Sequence, residues 1–452
     1  MYLKTNDDER IRSDFEKIVD VLRKSPGIDK SKRIGIKEFQ LRAKTVLEAL
    51  KRSGLEVGLV FSDEHYCGDV PYLGGNTNIT VEQVAGVIGE GGVHILAGLE
   101  GGYVAEQLAQ RAGVKVHKVE LLQLADEQYP VRAEKVENIL REVNNGKLPE
   151  KIALLTPRQV IPSSLVEYCS KIVGSENIVD AQLLYQKIKY EKSNMEMELT
   201  CDAATVADAA MEAMLRVIKP GMLETQVAAW GAFVAKELGA EELGFDIMVG
   251  ANEANRTLIG KALNREIKYG DYVHVGIGTK RDGLNACIRR SVIVVPSAEM
   301  VPEEQKYFFD FVEQAYKVGF EKYCEISEKN LPAKIQEQAL VDYFKSHSEE
   351  LSRRVGRKIK LERLKPYTGT HNSGYTECQE FYGAITLDSD EPLGLQVVTM
   401  LDVALRGIGD FWEDIVIPGF DFLVVENTLG KYGNRVETLN RLPINVQHMI
   451  SF

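Results

Sequence analysis

Residues 268–291 read KYGDYVHVGIGTKRDGLNACIRRS. Tyr272–Gly276 in this run is a predicted strand, and a second, Ile288–Val295, begins before the run ends. Gly276 reads as a close-packing residue within an apolar strand. His274 lies two residues earlier, on the same strand face by the period of two. Outward toward the amino terminus come a long helix, Met195–Ile218, stopped by Lys219-Pro220-Gly221-Met222, a helix over Thr225–Leu238 and a strand over Asp246–Val249. Outward toward the carboxy terminus come helices Glu303–Lys322 and Pro332–His347. Strands Val397–Ala404, Trp412–Pro418 and Phe420–Glu426 follow. Helices outside an antiparallel sheet make an α+β domain.

The chain before residue 187 has a different texture. Asp8–Arg23 carries Ile11, Phe15, Ile18, Val19 and Leu22 at helical spacing, and Ile36–Leu55 predicts a second helix with Gly54 near its end. Short apolar runs at Val57–Phe61, Val93–Ala97, Val114–Leu122 and Lys151–Thr156 predict strands. Alternation of this kind predicts an α/β domain with a mostly parallel sheet. A polar link at Lys187–Asn194 then divides the 452 residues into domains 1–187 and 188–452.

Composition excludes several function classes. A net charge of −12 and a pI near 5.3 oppose a nucleic-acid partner, since phosphate neutralisation needs clustered Lys and Arg. The six cysteines are scattered without a CxxC pair, as expected of free thiols in a reducing compartment. Met1–Arg12 is charged and lacks an apolar h-region, and no apolar run approaches membrane length. The expectation is a cytoplasmic protein with no membrane partner. The glycines of Gly86–Gly102 lack the spacing of a phosphate-binding loop.

A series of short signatures in one order resembles the pita-bread family of aminopeptidase P, prolidase and creatinase. Ile218–Glu224 is similar to its "ikpGmtE" turn, and Ile247–Asn252 to its "ivxSGxN" strand and loop. Lys268–Val273 resembles "ixxGDxV", and Ile277–Ser291 has the spacing of "DxGxxxxGYxSDxTRT". Thr368–Gly374 stands where "GHGIG" would, and Val397-Val398-Thr399 precedes the "iEPG" position. Trp412-Glu413-Asp414 fits "xxEDxvlv". The amino-terminal half resembles the creatinase-type domain, with Tyr72–Asn76 similar to "YLtGf". The resemblance implies a creatinase-like α/β domain, a pita-bread α+β domain and a homodimer.

It also implies five metal ligands, two Asp, one His and two Glu, holding two ions and a hydroxide nucleophile. Laid onto this chain, the Asp positions are Gly276 and Cys287, the His is His371, and the Glu positions are Leu401, with Asp402 next door, and Glu413. Two of five survive on that alignment, so a dinuclear hard-metal site is not expected, and no cofactor is. Cys287, His371 and Glu413 would form a soft set for one zinc. Arg289 and Arg290 suit an anion better than a guanidinium; Arg290 matches a structural Arg of the family, and a solvent-facing Arg289 is the equal alternative.

Three functions follow. The first is a non-catalytic pseudoenzyme whose cavity binds a small molecule or peptide, with Asn252, Arg256, Arg289 and Glu380 as binding residues beside Cys287, His371 and Glu413. The second is a metal-free or single-metal hydrolase of amide or guanidino C–N bonds, with His371 as base and Glu413 as its partner. The third is an Xaa-Pro aminopeptidase or dipeptidase, which fits the fold and conflicts with the ligand set.

Overall fold

A computed structural model describes residues 5–75, 82–123, 130, 132–252, 259–363, 369–377, 382–407 and 422–452. The chain forms two compact units. One is Lys32–Glu191 with Gly374–Tyr382; the other is Met1–Ser31, Lys192–Ser373 and Gly383–Phe452. Of the crossings between them, Glu191-Lys192 lies a few residues past the expected boundary.

Helix α1 (Thr5–Lys24) belongs to the second unit, which corrects its assignment to domain 1–187. Its apolar stripe explains why: Ile18 and Val21 are buried in one core with Val206, Ala210 and Val217. Lys17 Nζ donates to the Arg216 carbonyl at 2.8 Å, and Lys219 Nζ meets the buried Asp14 carboxylate at 2.8 Å.

The first unit is α/β. Its elements are α2 (Ile36–Arg52), β1 (Val57–Ser62), α3 (Asp69–Gly74), β2 (Val84–Gly89), β3 (Gly92–Ala97), α4 (Gly101–Ala109), β4 (Lys115–Lys118), α5 (Val136–Val143), β5 (Ile152–Leu154), α6 (Ser163–Val173), β6 (Ile178–Asp180) and α7 (Gln182–Tyr190). The sheet order is β4-β3-β2-β1-β5-β6. Three pairings are parallel, as expected for most of the sheet, while β1–β2 and β2–β3 are antiparallel, so the sheet is mixed with a parallel majority. The cause is local. Gly89 pairs with Gly92, and the two residues between them can close a hairpin but cannot make the crossover that parallel strands need. Val57, Leu59, Phe61, Leu96 and Leu154 fill a core under α5 and α6.

In the second unit, α8 (Asn194–Val217) starts on a capping box: Glu196 N donates to Ser193 Oγ at 3.1 Å, and Ser193 N to Glu196 Oε2 at 2.8 Å. Buried Ala203, Ala204, Ala207 and Ala210 let the helix lie close on the sheet. Then come α9 (Glu224–Leu238), β7 (Glu242–Leu243), β8 (Met248–Ala251), β9 (Tyr272–Arg281), β10 (Leu284–Ile293), α10 (Glu303–Lys329), α11 (Lys334–Ser346), α12 (Ser348–Val355), β11 (Gly369–Asn372), β12 (Gln396–Arg406), β13 (Phe422–Tyr432) and β14 (Arg435–Thr438). The sheet runs β11-β12-β13-β10-β9-β7, with β8 on β9 and β14 on β13. Val273, Val275, Ile277, Ile288 and Val292 face α8 and α9, while Leu401, Val403, Leu405, Leu423 and Val425 face α10 and α11. By strand alternation, the residues between these point to the other face.

Candidate functional site

Strand register sets polar residues in two rows across that other face. In the first, Gly276 on β9 pairs with Arg289 on β10, Arg289 with Glu426 on β13, and Glu426 with Asp402 on β12. In the second, two residues along, Gly278 pairs with Cys287, Thr428 pairs with Met400, and Met400 with His371 on β11. Thr428 Oγ1 joins the halves of this row, accepting from Cys287 N and donating to Cys287 O, both at 2.9 Å.

Arg289 is buried and lies along the first row. Its Nη1 donates to Asp402 Oδ2 at 3.0 Å, its Nε stands 3.8 Å from Glu426 Oε2, and its guanidinium carbon is 5.5 Å from the centre of the Phe422 ring. Gly276 makes the space: a Cβ there would stand 3.1 Å from Arg289 Cγ and 3.5 Å from its Nε. Glu426 is the hub. Besides Arg289, it accepts from the Cys287 thiol at 3.4 Å and lies 3.7 Å from His371 Nε2. The cluster thus has one fixed cation, two carboxylates, a thiol and an imidazole in a buried setting, where charge interactions are weakly screened.

Arg290, on the opposite face, is structural. Its guanidinium donates to the carbonyls of Arg289, Glu426, Leu442 and Pro443 and to Asn427 Oδ1, all at 2.8–2.9 Å. Burial still pulls its pKa down to about 10.

Of the residues singled out from sequence, Cys287, Arg289 and His371 come together around Glu426. The solvent-facing option for Arg289 is excluded by its burial. Its role as an anion floor also fails, because two carboxylates already answer its charge. Asn252 is engaged elsewhere: its side-chain amide donates to Asp271, and its oxygen accepts from Tyr272 N at 3.1 Å. Arg256, Glu380 and Glu413 lie outside the described residues. Leu401 packs into the apolar core against α10, and Asp402 turns to the site. Sequence reasoning missed Glu426. The signal was present in Val424-Val425-Glu426-Asn427, a β-branched strand carrying one carboxylate, and it was passed over for Glu413.

His274 sits at the end of this face, edge-on to Phe422. Burial first, and the Arg289 charge second, lower its pKa to about 3. Below pH 6.5 the unfolded chain therefore binds a proton that the folded chain refuses. The stability this provides is complete above pH 6.5 and falls by about 1.4 kcal/mol per pH unit toward pH 3. Urea unfolding is expected to show a drop between pH 7 and pH 5 that is smaller by about 2 kcal/mol in His274→Gln than in the wild type. Equal drops would remove His274 as the cause.

Comparison with known proteins finds related sequences and folds. Residues 198–358 match the model of metallopeptidase family M24. The chain is 22% identical to the uncharacterized peptidase YqhT of Bacillus subtilis, over 52% of this chain and 64% of that one. It is 26% identical to an Xaa-Pro dipeptidase of Pyrococcus horikoshii, over 39% of this chain and 49% of that one. The aligned regions thus cover half to two thirds of these relatives. The fold matches X-Pro aminopeptidase from Thermotoga maritima at a TM-score of 0.70 and 18% identity, covering 89% of this chain and 98% of that one. It matches prolidase from P. horikoshii at 0.67 and 17%, covering 89% and 99%. Among the described residues, no helix is long and apolar enough to cross a membrane.

Proposed function

We propose that this chain, which has the fold of X-Pro aminopeptidase and prolidase, is a non-catalytic, peptide- or small-molecule-binding relative whose metal site has been replaced by an internal ion-pair network. The carrying observation is Arg289 stretched along Asp402 and Glu426 in the space Gly276 leaves.

The donor set argues against a pair of hard divalent ions. Gly276 offers no ligand, Cys287 is a soft donor, and Arg289 places a permanent positive charge against the two carboxylates. Two divalent ions would bring four positive charges, beside that of Arg289, to a cluster with only two carboxylates to answer them. Burial magnifies that repulsion.

The net charge of the cluster, one guanidinium against Asp402 and Glu426, is −1, which suits a cationic group such as a peptide's free amino terminus better than an anion. The protein is proposed to act in the cytoplasm as a homodimer. The test is an Xaa-Pro peptide incubated with the protein and manganese. The expected result is a rise in melting temperature without product, weaker for the amino-acetylated peptide. Product above background would return the protein to the Xaa-Pro peptidases.

The 3.7 Å approach of His371 to Glu426 favours a second reading, a metal-free amide or guanidino hydrolase. His371 would act as base, with Glu426 in the orienting role given on sequence to Glu413. Any turnover of that kind should vanish in His371→Ala; turnover that persists there ends this reading.

A further inference from the structure

In the first unit, His94 on β3 and His117 on β4 are buried and stack with their rings 9° from parallel. His94 Nδ1 and His117 Nε2 meet at 2.8 Å. His94, His117 and the exposed Glu142 of α5 hold one ligand atom each within 4.8 Å of one another. We propose that these three residues form a site for one borderline transition-metal ion, zinc being the test case, which ties β3, β4 and α5 together. The site is separate from the cluster on the second unit and independent of the function proposed for it.

The case rests on donor chemistry. His117 Nδ1 is 2.9 Å from Glu134 Oε2, so its N–H is directed to that carboxylate. The Nε2 lone pair is thereby turned inward, toward His94 and Glu142. A carboxylate behind an imidazole in this way is the usual support of a metal-bound histidine. Two imidazoles, one carboxylate and an open position match zinc's preferred set. Tetrahedral binding needs the two ring nitrogens about 3.3 Å apart, a widening of about half an ångström from the observed 2.8 Å. His94 Nδ1 donates to His117 Nε2, so binding an ion moves that proton to His94 Nε2 and frees Nδ1 to ligate.

The groups facing the site are Lys115, Glu134 and Glu142. Lys115 is the competitor: its Nζ holds both Glu142 oxygens at 2.9 and 3.0 Å. Its side chain is about half exposed, so it can swing into water as the ion enters. Lys115→Ala should accordingly tighten binding.

The experiment titrates the chelator-treated full chain with zinc chloride by calorimetry, in a Cys287→Ser background that removes a thiol on the other unit. One zinc per chain is expected. Glu142→Gln, at an exposed position that leaves the fold alone, should weaken binding about 10-fold, and His117→Gln about 100-fold or more. The melting temperature should rise with zinc in the parent and not in His117→Gln. No zinc uptake, or uptake unchanged in both Glu142→Gln and His117→Gln, would reduce the pair to an ordinary histidine–histidine hydrogen bond and overturn the site.

Discussion

Arg289→Ala is expected to cost about 3–5 kcal/mol of stability, because it leaves two buried carboxylates without their cation. Asp402 and Glu426 are directly paired in register on β12 and β13, with side chains 7% and 0% exposed. In the wild type the guanidinium lies against both and offsets one of their two charges. Without it, the like charges face each other in a poorly screened setting, and both carboxyls are pushed toward protonation. A folded-state pKa raised above the unfolded value gives stability that is present at low pH and lost as pH rises. The defect should therefore be greatest above neutral pH and small below about pH 4. Urea unfolding at three pH values measures it. A loss under about 1 kcal/mol at pH 8 would show that Arg289 does not hold the cluster together.

Lys189→Met is expected to have a comparable effect in the first unit, again about 3–5 kcal/mol. Lys189 is paired with Asp69, and the two side chains are 1% and 0% exposed. Thr156 and Tyr66 also hold the Asp69 carboxylate, and Tyr185 Oη donates to the Asp69 carbonyl at 2.7 Å. Even so, burial outweighs the lysine and raises the Asp69 pKa, so an unpartnered charge there would be costly. Methionine keeps the volume of lysine and removes its charge. The double variant Asp69→Asn with Lys189→Met should recover most of the loss, since a buried pair is worth far less than breaking it costs. A double variant as unstable as the single one would mean that lysine packing, not charge, is at stake.

Much of the fold was legible because it is written in local periodicity. The expected α8 and α10 begin within a residue of their observed starts, and β1 is one residue longer than read. What failed was non-local. The two antiparallel pairings in the first sheet were not read, because apolar runs look alike whichever way they pair; the short Gly89–Gly92 turn marks only the β2–β3 hairpin. Helix α1 was assigned by position along the chain, whereas its stripe at Ile18 and Val21 is buried against α8.

The site was harder to read because it is built by register. Leu401 and Asp402 differ by one residue, and a one-residue slip exchanges the faces of a strand. Apolar periodicity alone cannot say which of the two meets Glu426; strand pairing does. Arg289 follows Cys287 by two, so both were bound to share a face, yet its choice between solvent and site depended on Gly276 across the ladder and on β13 beyond it. Glu413 and Glu426 both sit in strand-like sequence, and the family pattern was satisfied at the earlier one.

The most direct measurement is manganese binding by calorimetry, made in parallel on the wild type and on the triple variant Gly276→Asp, Cys287→Asp, Arg289→Thr. That variant rebuilds the "DxG" and "SDxT" positions and removes the internal cation. The wild type is expected to bind no pair of ions, and the triple variant to gain two-ion binding with Asp402, Glu426 and His371 as the remaining ligands. Two manganese ions bound by the wild type would contradict the account.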